Sequence, residues 1–384
     1  MYNLVLSSVS WAFCLSMAFF SSGCATDDVA AKEASTAKEA ASIEKDVELG
    51  IEEPNDDDDD EMVLEMPKSF AEMSTRLEFL CPAPLFSFAE PHQVKATDEQ
   101  SFTVSGSSMT ASPSVGERLV LGVLGAIKDP TDATRRNLER AEKAFAKAGV
   151  HAVVVNGDLA EDEDIAAVFL MLGEVFKRPV FAHSGNIEWS ASFNHAWEAA
   201  AKLHPHVFNM NWIRVVDFGK HTLLTMPGYF NHRFMRSGAC HYETDDVEAL
   251  LPAAKKAHER GHVVLLSSHG PPLGKKKGAL DVIDEGNHVG DPALNKLIEE
   301  GSIKVGIFSH ILEAGGRATV DLAGAMPHLL QKKKMSKPTD TLFINAGSAS
   351  AGGWEMNDGK QSLGMAAIVV VTQEGAQVSF IRLR

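Results

Sequence analysis

The chain has 384 residues, 45% of them hydrophobic and 23% charged, which is enough apolar material for a core in one or two domains. This composition excludes a disordered chain, a collagen and a multi-span membrane protein, and four cysteines are too few for a disulfide-built scaffold. The formal charge of −16 argues against non-specific nucleic-acid binding, which needs a basic surface, so no nucleic-acid partner is expected. Most of that charge is local. Residues 27–66 hold 16 Asp and Glu against 3 Lys, and the rest of the chain carries only −3.

In chain order, Leu4–Phe20 is mostly apolar, with the length of a signal-peptide core, and is short for a membrane span. It runs into Ser21-Ser22-Gly23-Cys24. Small residues before a cysteine, straight after an apolar run, resemble a bacterial lipoprotein cleavage site. The resemblance implies that residues 1–23 are a signal peptide and that Cys24 carries lipid. The protein would then sit in the cell envelope, anchored on the periplasmic or surface side of a bacterial membrane. Two features depart from the pattern: no Lys or Arg precedes the apolar run, and Ser21 stands where Leu is usual. An ordinary secretory signal and an uncleaved anchor helix are the alternatives. With Cys14 in the signal and Cys24 lipidated, Cys81 and Cys240 remain. They pair in an oxidising compartment or stay buried as thiols, and the sequence leaves both open.

Residues 24–66 are rich in Ala, Glu, Lys and Asp, with almost no aromatics, and read as a solvated acidic tether. Residues 67–117 read as a lead-in that packs partly on the main domain. Phe70, Leu77, Phe79, Leu80, Leu85, Phe86 and Phe88 supply apolar surface. Pro82, Pro84, Pro91 and the Ser/Thr-rich stretch 101–114 argue against regular structure there.

From 118 to 384 the pattern is regular. Strands are predicted at 119–124, 152–155, 180–182, 263–267, 304–308 and 342–345, with hairpins at 213–226 and 366–383. Helices are predicted at 132–148, 164–176, 189–203, 245–260 and 292–300. Strand and helix alternate, so the class is α/β. Asp158, Asn186, His269 and His310 each follow the carboxyl end of an apolar strand. That edge of an α/β sheet is where ligands bind. One carboxylate, one amide oxygen and two imidazoles suit one divalent transition metal: Mn, Fe or Zn.

These residues and their surroundings resemble the calcineurin-like metallophosphoesterase family. That family carries five blocks in order: Asp-x-His, Gly-Asp, Gly-Asn-His-Asp/Glu, His, and Gly-His-x-His. The counterparts are Gly157-Asp158, Gly185-Asn186-Ile187-Glu188, His269 before Gly270-Pro271-Pro272, and Ser309-His310-Ile311-Leu312. Asn345-Ala346-Gly347-Ser348 resembles the family's closing strand and loop. The fold implied is a sandwich of two mixed β-sheets flanked by α-helices. The first block aligns with Ala126-Ile127-Lys128, Ile187 replaces the third-block His, and Leu312 replaces the last His. By the resemblance, every ligand unique to the first metal is lost. The second metal keeps Asp158, Asn186, His269 and His310.

Ala, Leu and Ile neither bind metal nor move protons. Lys128 places an ammonium where a first-metal histidine belongs, either beside Asp158 to attract a phosphate or out in solvent. His183, near the lost third-block His, is a substitute acid or a hydrogen-bonded core residue. Two functions remain open. One is a one-metal, weakly active phosphoesterase acting on an exported phosphate ester. The other is a non-catalytic binding module, extending to a fully inactive pseudophosphoesterase with a structural or ligand-binding role. In either case a phosphate-containing small molecule is the expected ligand. The basic triplets Lys275–Lys277 and Lys332–Lys334 read as solvated loops, the first also as a possible lining for an anion.

Overall fold

The computed structural model describes residues 65–283, 286–325, 337–356 and 359–384. The signal-type segment, Cys24, nearly all of the acidic tether and Lys332–Lys334 lie outside the described residues. Among the described residues no helix is long and apolar enough to cross a membrane.

The described residues open with helix α1 (Phe70–Arg76) and strands β1 (His92–Lys95), β2 (Ser101–Ser105) and β3 (Ser108–Val115). The repeating unit follows: β4 (Leu119–Leu124), α2 (Asp132–Ala148), β5 (Ala152–Asn156), α3 (Asp164–Val175), β6 (Val180–His183), α4 (Ser190–Ala201) and β7 (Val207–Asn209). A hairpin, β8 (Val215–Gly219) and β9 (His221–Met226), leads to α5 (Thr244–Glu248), α6 (Leu251–Glu259), β10 (Val263–Ser268), α7 (Pro292–Glu300) and β11 (Val305–Phe308). The chain closes with β12 (Arg317–Thr319), β13 (Leu342–Asn345), the short pair β14 (Trp354–Glu355) and β15 (Gln361–Ser362), and the hairpin β16 (Met365–Thr372) and β17 (Gly375–Arg382).

Among the described residues, β14 and β15 pair as a separate two-stranded sheet, and the other fifteen strands build two mixed sheets. One has nine strands in the order β1-β2-β3-β8-β9-β10-β11-β13-β12, the other six in the order β17-β16-β4-β5-β6-β7. Parallel pairs β4–β5, β5–β6, β9–β10, β10–β11 and β11–β13 form the centres; β17–β16 and β1–β2–β3 flank them as antiparallel hairpins, β12 pairs antiparallel with β13, and β7 closes its sheet parallel to β6. The apolar runs of the central strands are continuous because both faces are covered. Alternation then sorts them. Leu223, Leu265, Val305, Ile307, Leu342 and Ile344 join the core shared with the six-stranded sheet. Leu224, Met226, Val264, Leu266, Phe308 and Phe343 pack with the apolar faces of α5–α7.

Helix α2 shows how local chemistry sets an element. The Thr131 side chain accepts a hydrogen bond from the Thr134 N–H at its start. Leu138, Ala141 and Phe145 are buried on one face, and Gly149 ends the helix at φ +67°, a conformation glycine adopts without a Cβ penalty. The single helix expected over 245–260 is two. The break falls at Ala249-Leu250, ahead of Pro252, which stands in the first turn of α6, where its missing N–H costs nothing.

The lead-in is more ordered than its Ser, Thr and Pro content suggests. Residues 101–115 form β2 and β3, and β3 joins β8 to extend the nine-stranded sheet. The signal was a period of two: Phe102, Val104, Met109 and Ala111 are buried while Thr103 and Thr110 are not. Three further ties hold this region. The Arg214 guanidinium is fully buried and donates to Ala83 O at 2.6 Å and Thr225 O at 2.9 Å. Trp212 Nε1 donates to Leu77 O at 3.1 Å. Cys81 and Cys240 form a disulfide, with Cα atoms 5.1 Å apart.

Candidate functional site

The carboxyl ends of β4, β5, β6, β10, β11 and β13 converge on one edge of the sandwich. Asp158, two residues past β5, sits at φ +61°, after Gly157 at φ +75°. Asp tolerates this left-handed conformation better than most residues. A Cβ on Gly157 would lie 2.3 Å from His269 Nδ1, so glycine there lets the β5 turn approach the imidazole. His310, also at φ +56°, follows β11 in the same manner.

The polar contacts form one chain. Lys128 Nζ lies 3.0 Å from Asp158 Oδ2, with the lysine side chain 15% exposed and the carboxylate 3%. His269 Nε2 lies 3.3 Å from Asp158 Oδ1 and 2.9 Å from Asn186 Oδ1. His310 Nδ1 lies 3.1 Å from the same Asn186 oxygen. The Asn186 amide N–H donates to Phe234 O, which fixes its oxygen toward the two imidazoles. Thus Asp158, Asn186, His269, His310 and Lys128 stand together.

Burial alone would push the Asp158 carboxyl up, but the Lys128 ammonium, then His269 and His310, hold it far below the usual carboxylate range. Burial likewise works against a charged His269, yet Asp158 beside it raises the imidazole above its ordinary value. His310 is pushed down to about 3 by burial and by its neighbour His269.

The donor set fits a cation on the Asn186 side. His269 Nδ1 lies 3.0 Å from Asn156 O, and a carbonyl only accepts, so the proton of a neutral ring sits on Nδ1. Nε2 then offers a lone pair toward two oxygens that are also acceptors. Asp158 Oδ1 is buried without a hydrogen-bond partner. Such an arrangement calls for positive charge at its centre, a second proton on His269 or a metal ion. Donor separations of 2.9–3.3 Å match the edges of a coordination shell with bonds of about 2.1 Å. The carbonyl on Nδ1 is the orienting partner that metal-ligating histidines commonly have.

The other side of Asp158 offers no such set. Ala126, Lys128 and Leu312 bring a methyl group, an ammonium and an isobutyl group. Lys128 is positioned from both ends. Its N–H donates to Ser350 Oγ at 2.8 Å, and its ammonium lies 4.6 Å from the centre of the Trp354 ring. Sequence reasoning missed Trp354, because nothing in its local pattern links residue 354 to residue 128.

Two buried neighbours, His183 and Glu188, are held by hydrogen bonds at the strand ends. His183 is fully buried, with Nε2 at 3.0 Å from Ser267 Oγ and Nδ1 at 3.0 Å from Ser184 O, and burial lowers it to about 3. It is a core residue of the β6 end and not a substitute acid. Glu188 is also buried. Its carboxylate accepts from the N–H groups of Gly185 and Leu159 and so ties the Asn186 turn to the Asp158 turn. Burial, then the Asp158 charge, raises it to about 7. Ile187 and Leu312 are both half-buried. Lys275–Lys277 are exposed, and Lys276 faces Asp321 at 4.0 Å.

No curated protein matches the chain. Solved structures do. A dimetal phosphatase from Danio rerio is 11% identical, with TM-score 0.42, and the match covers 69% of this chain and 99% of that one. The purple acid phosphatase PPD1 from yellow lupin (Lupinus luteus) is 10% identical with TM-score 0.45, over 74% of this chain and 57% of that one. TT1561 of Thermus thermophilus is 12% identical with TM-score 0.41, over 69% and 99%. The family model described as calcineurin-like phosphoesterase matches residues 128–314, which span every polar residue of the site from Lys128 to His310. Over residues 128–314 the chain is therefore similar to the calcineurin-like phosphoesterase family.

Proposed function

We propose that this protein is a phosphate-ester-binding module that retains the metallophosphoesterase fold and one of its two metal positions. Asp158, Asn186, His269 and His310 would hold a single divalent transition metal, Mn, Fe or Zn. Bound there, the ion supplies Lewis-acid attraction for a phosphoryl oxygen. The Lys128 ammonium supplies the second positive charge. Lys128 Nζ at 3.0 Å from Asp158 Oδ2 is the observation that carries the reading. A covalently attached cation stands where the family resemblance places a ligand of the first metal.

This exchange preserves anion attraction and gives up hydrolysis. Two-metal phosphoesterases use ions about 3.5–4 Å apart to generate and aim a hydroxide. An ammonium does not lower the pKa of water as a metal does. Ile187 has no proton to give a leaving group, and His183 is turned into the core. We further propose that the protein is exported and anchored by lipid on Cys24, which would hold the site at a membrane surface.

The test uses the purified full chain. Metal analysis is expected to return one equivalent at the site, lost in Asp158→Asn. Calorimetry with a phosphate monoester is expected to show binding that falls about tenfold in Lys128→Ala, as for loss of one charge-assisted contact of about 1.4 kcal/mol. Turnover of an aryl phosphate that disappears in Asp158→Asn would instead establish a weak one-metal enzyme. Cys24→Ser is expected to release the protein from membranes.

A further inference from the structure

Between β9 and α5 the chain folds back on itself at the rim of the site. Gly228 N–H donates to Ser184 O, Tyr229 N–H to Cys240 O, and Arg236 N–H to Asn186 O. The disulfide at Cys240 pins this segment to Cys81. On its outer side three side chains meet: His232, at the start of a single 3₁₀ turn, His241 and Glu243. Their ligand atoms lie within 4.8 Å of one another. The two imidazoles stack, with ring centres 3.7 Å apart and planes 17° apart, so the exposed His232 ring has to turn out of the stack before both rings can face one ion.

His241 is the informative member. Its Nε2 lies 3.0 Å from Phe230 O, so that nitrogen carries the proton of a neutral ring and Nδ1 carries a lone pair. Nδ1 faces Glu243 Oε1 at 3.5 Å, an atom that also only accepts. A second imidazole is stacked on the first. Two imidazoles and a carboxylate thus bring their ligand atoms within 4.8 Å of one another. A carbonyl holding the far nitrogen of a histidine is the partner that orients metal-ligating imidazoles.

We infer that His232, His241 and Glu243 form a separate surface site for a divalent transition metal of the zinc class. Imidazole nitrogen and carboxylate oxygen are the ligands zinc takes, and three protein ligands leave a fourth position for water. The three backbone hydrogen bonds and the disulfide hold the segment in place before binding, which reduces the ordering cost. Tyr229 in the same segment packs against His310 at 4.2 Å between ring centres, so the ion would brace the wall of the phosphoesterase-like site without entering it.

The site stands independently of the proposed function, and zinc titration separates the two. Zn²⁺ is titrated into the full-length wild type, His232→Ala, Glu243→Gln and Asp158→Asn, with circular dichroism as the check of folding. His232 is exposed, and Glu243→Gln keeps a side-chain acceptor at the start of α5, so both variants are expected to fold. One zinc equivalent is expected to persist in Asp158→Asn and to weaken at least tenfold in His232→Ala and in Glu243→Gln. Unchanged zinc binding in both of those variants would overturn the inference. So would loss of all zinc in Asp158→Asn.

Discussion

The two sides of Asp158 solve one electrostatic problem by different means. On one side its carboxylate meets a lysine ammonium at 3.0 Å, braced by the Trp354 face. On the other it meets an imidazole at 3.3 Å, inside a set of lone pairs that only a proton or a metal completes. The lysine charge comes with the chain and needs no loading. The imidazole side depends on what is bound. Under the proposed function, attraction of an anion would come from the lysine at once and from the imidazole side only with a metal bound, whereas activation of water needs the metal.

The largest expected effect comes from the group they share. Asp158→Asn keeps the shape and the tolerance for a left-handed backbone but removes the charge. It leaves the Lys128 ammonium without its partner in a nearly buried place, so stability in urea unfolding should fall by about 3 kcal/mol. A loss below 0.5 kcal/mol, on the order of an exposed pair, would show that the two sides do not depend on Asp158.

A pH titration sharpens the imidazole side. His183, beneath it, has its folded pKa lowered by burial to about 3 against an ordinary 6.5. The unfolded chain takes up that proton first as pH falls. The stability contributed by neutral His183 is therefore complete above pH 6.5 and lost progressively between 6.5 and 3. The His183 share of the slope should reach about 1.4 kcal/mol per pH unit, added to those of His310 and His221, and only that share should vanish in His183→Gln. Identical slopes in wild type and variant would remove His183 from the account.

On the lysine side, Lys128→Ala should weaken a phosphate monoester about tenfold while leaving the metal equivalent in place. Equal loss of metal and phosphate would mean that the two sides act as one. The smallest effect belongs to Trp354→Ala. Loss of the ring over the ammonium should cost about 0.5–1 kcal/mol of phosphate binding, read by the same calorimetry.

Much of this arrangement was legible before any coordinates. The strands at 119–124, 152–156, 263–268, 305–308 and 342–345 announce themselves because a buried parallel strand must be apolar on both faces. A polar residue just past such a strand stands out, which is how Asp158, Asn186, His269 and His310 were found. Residues 101–115 were missed because Ser, Thr and Pro masked an alternation of Phe102, Val104, Met109 and Ala111. The break between α5 and α6 was missed because amphipathic periodicity runs across it. Glu188 was visible as a family position, but its grip on two backbone N–H groups was not.

What the amino-acid order determined by itself was local or periodic: the α/β class, most element positions, and the change from first-metal ligands to Ala126, Lys128 and Leu312. Tertiary structure decided everything that joins distant residues. It turned Lys128 onto Asp158 and under Trp354, turned His183 into the core, paired Cys81 with Cys240, and set His232 against His241. The reason is physical. Periodicity records which face of an element is covered, whereas a contact between side chains far apart in sequence depends on how whole sheets stack, and no short window of sequence contains that information.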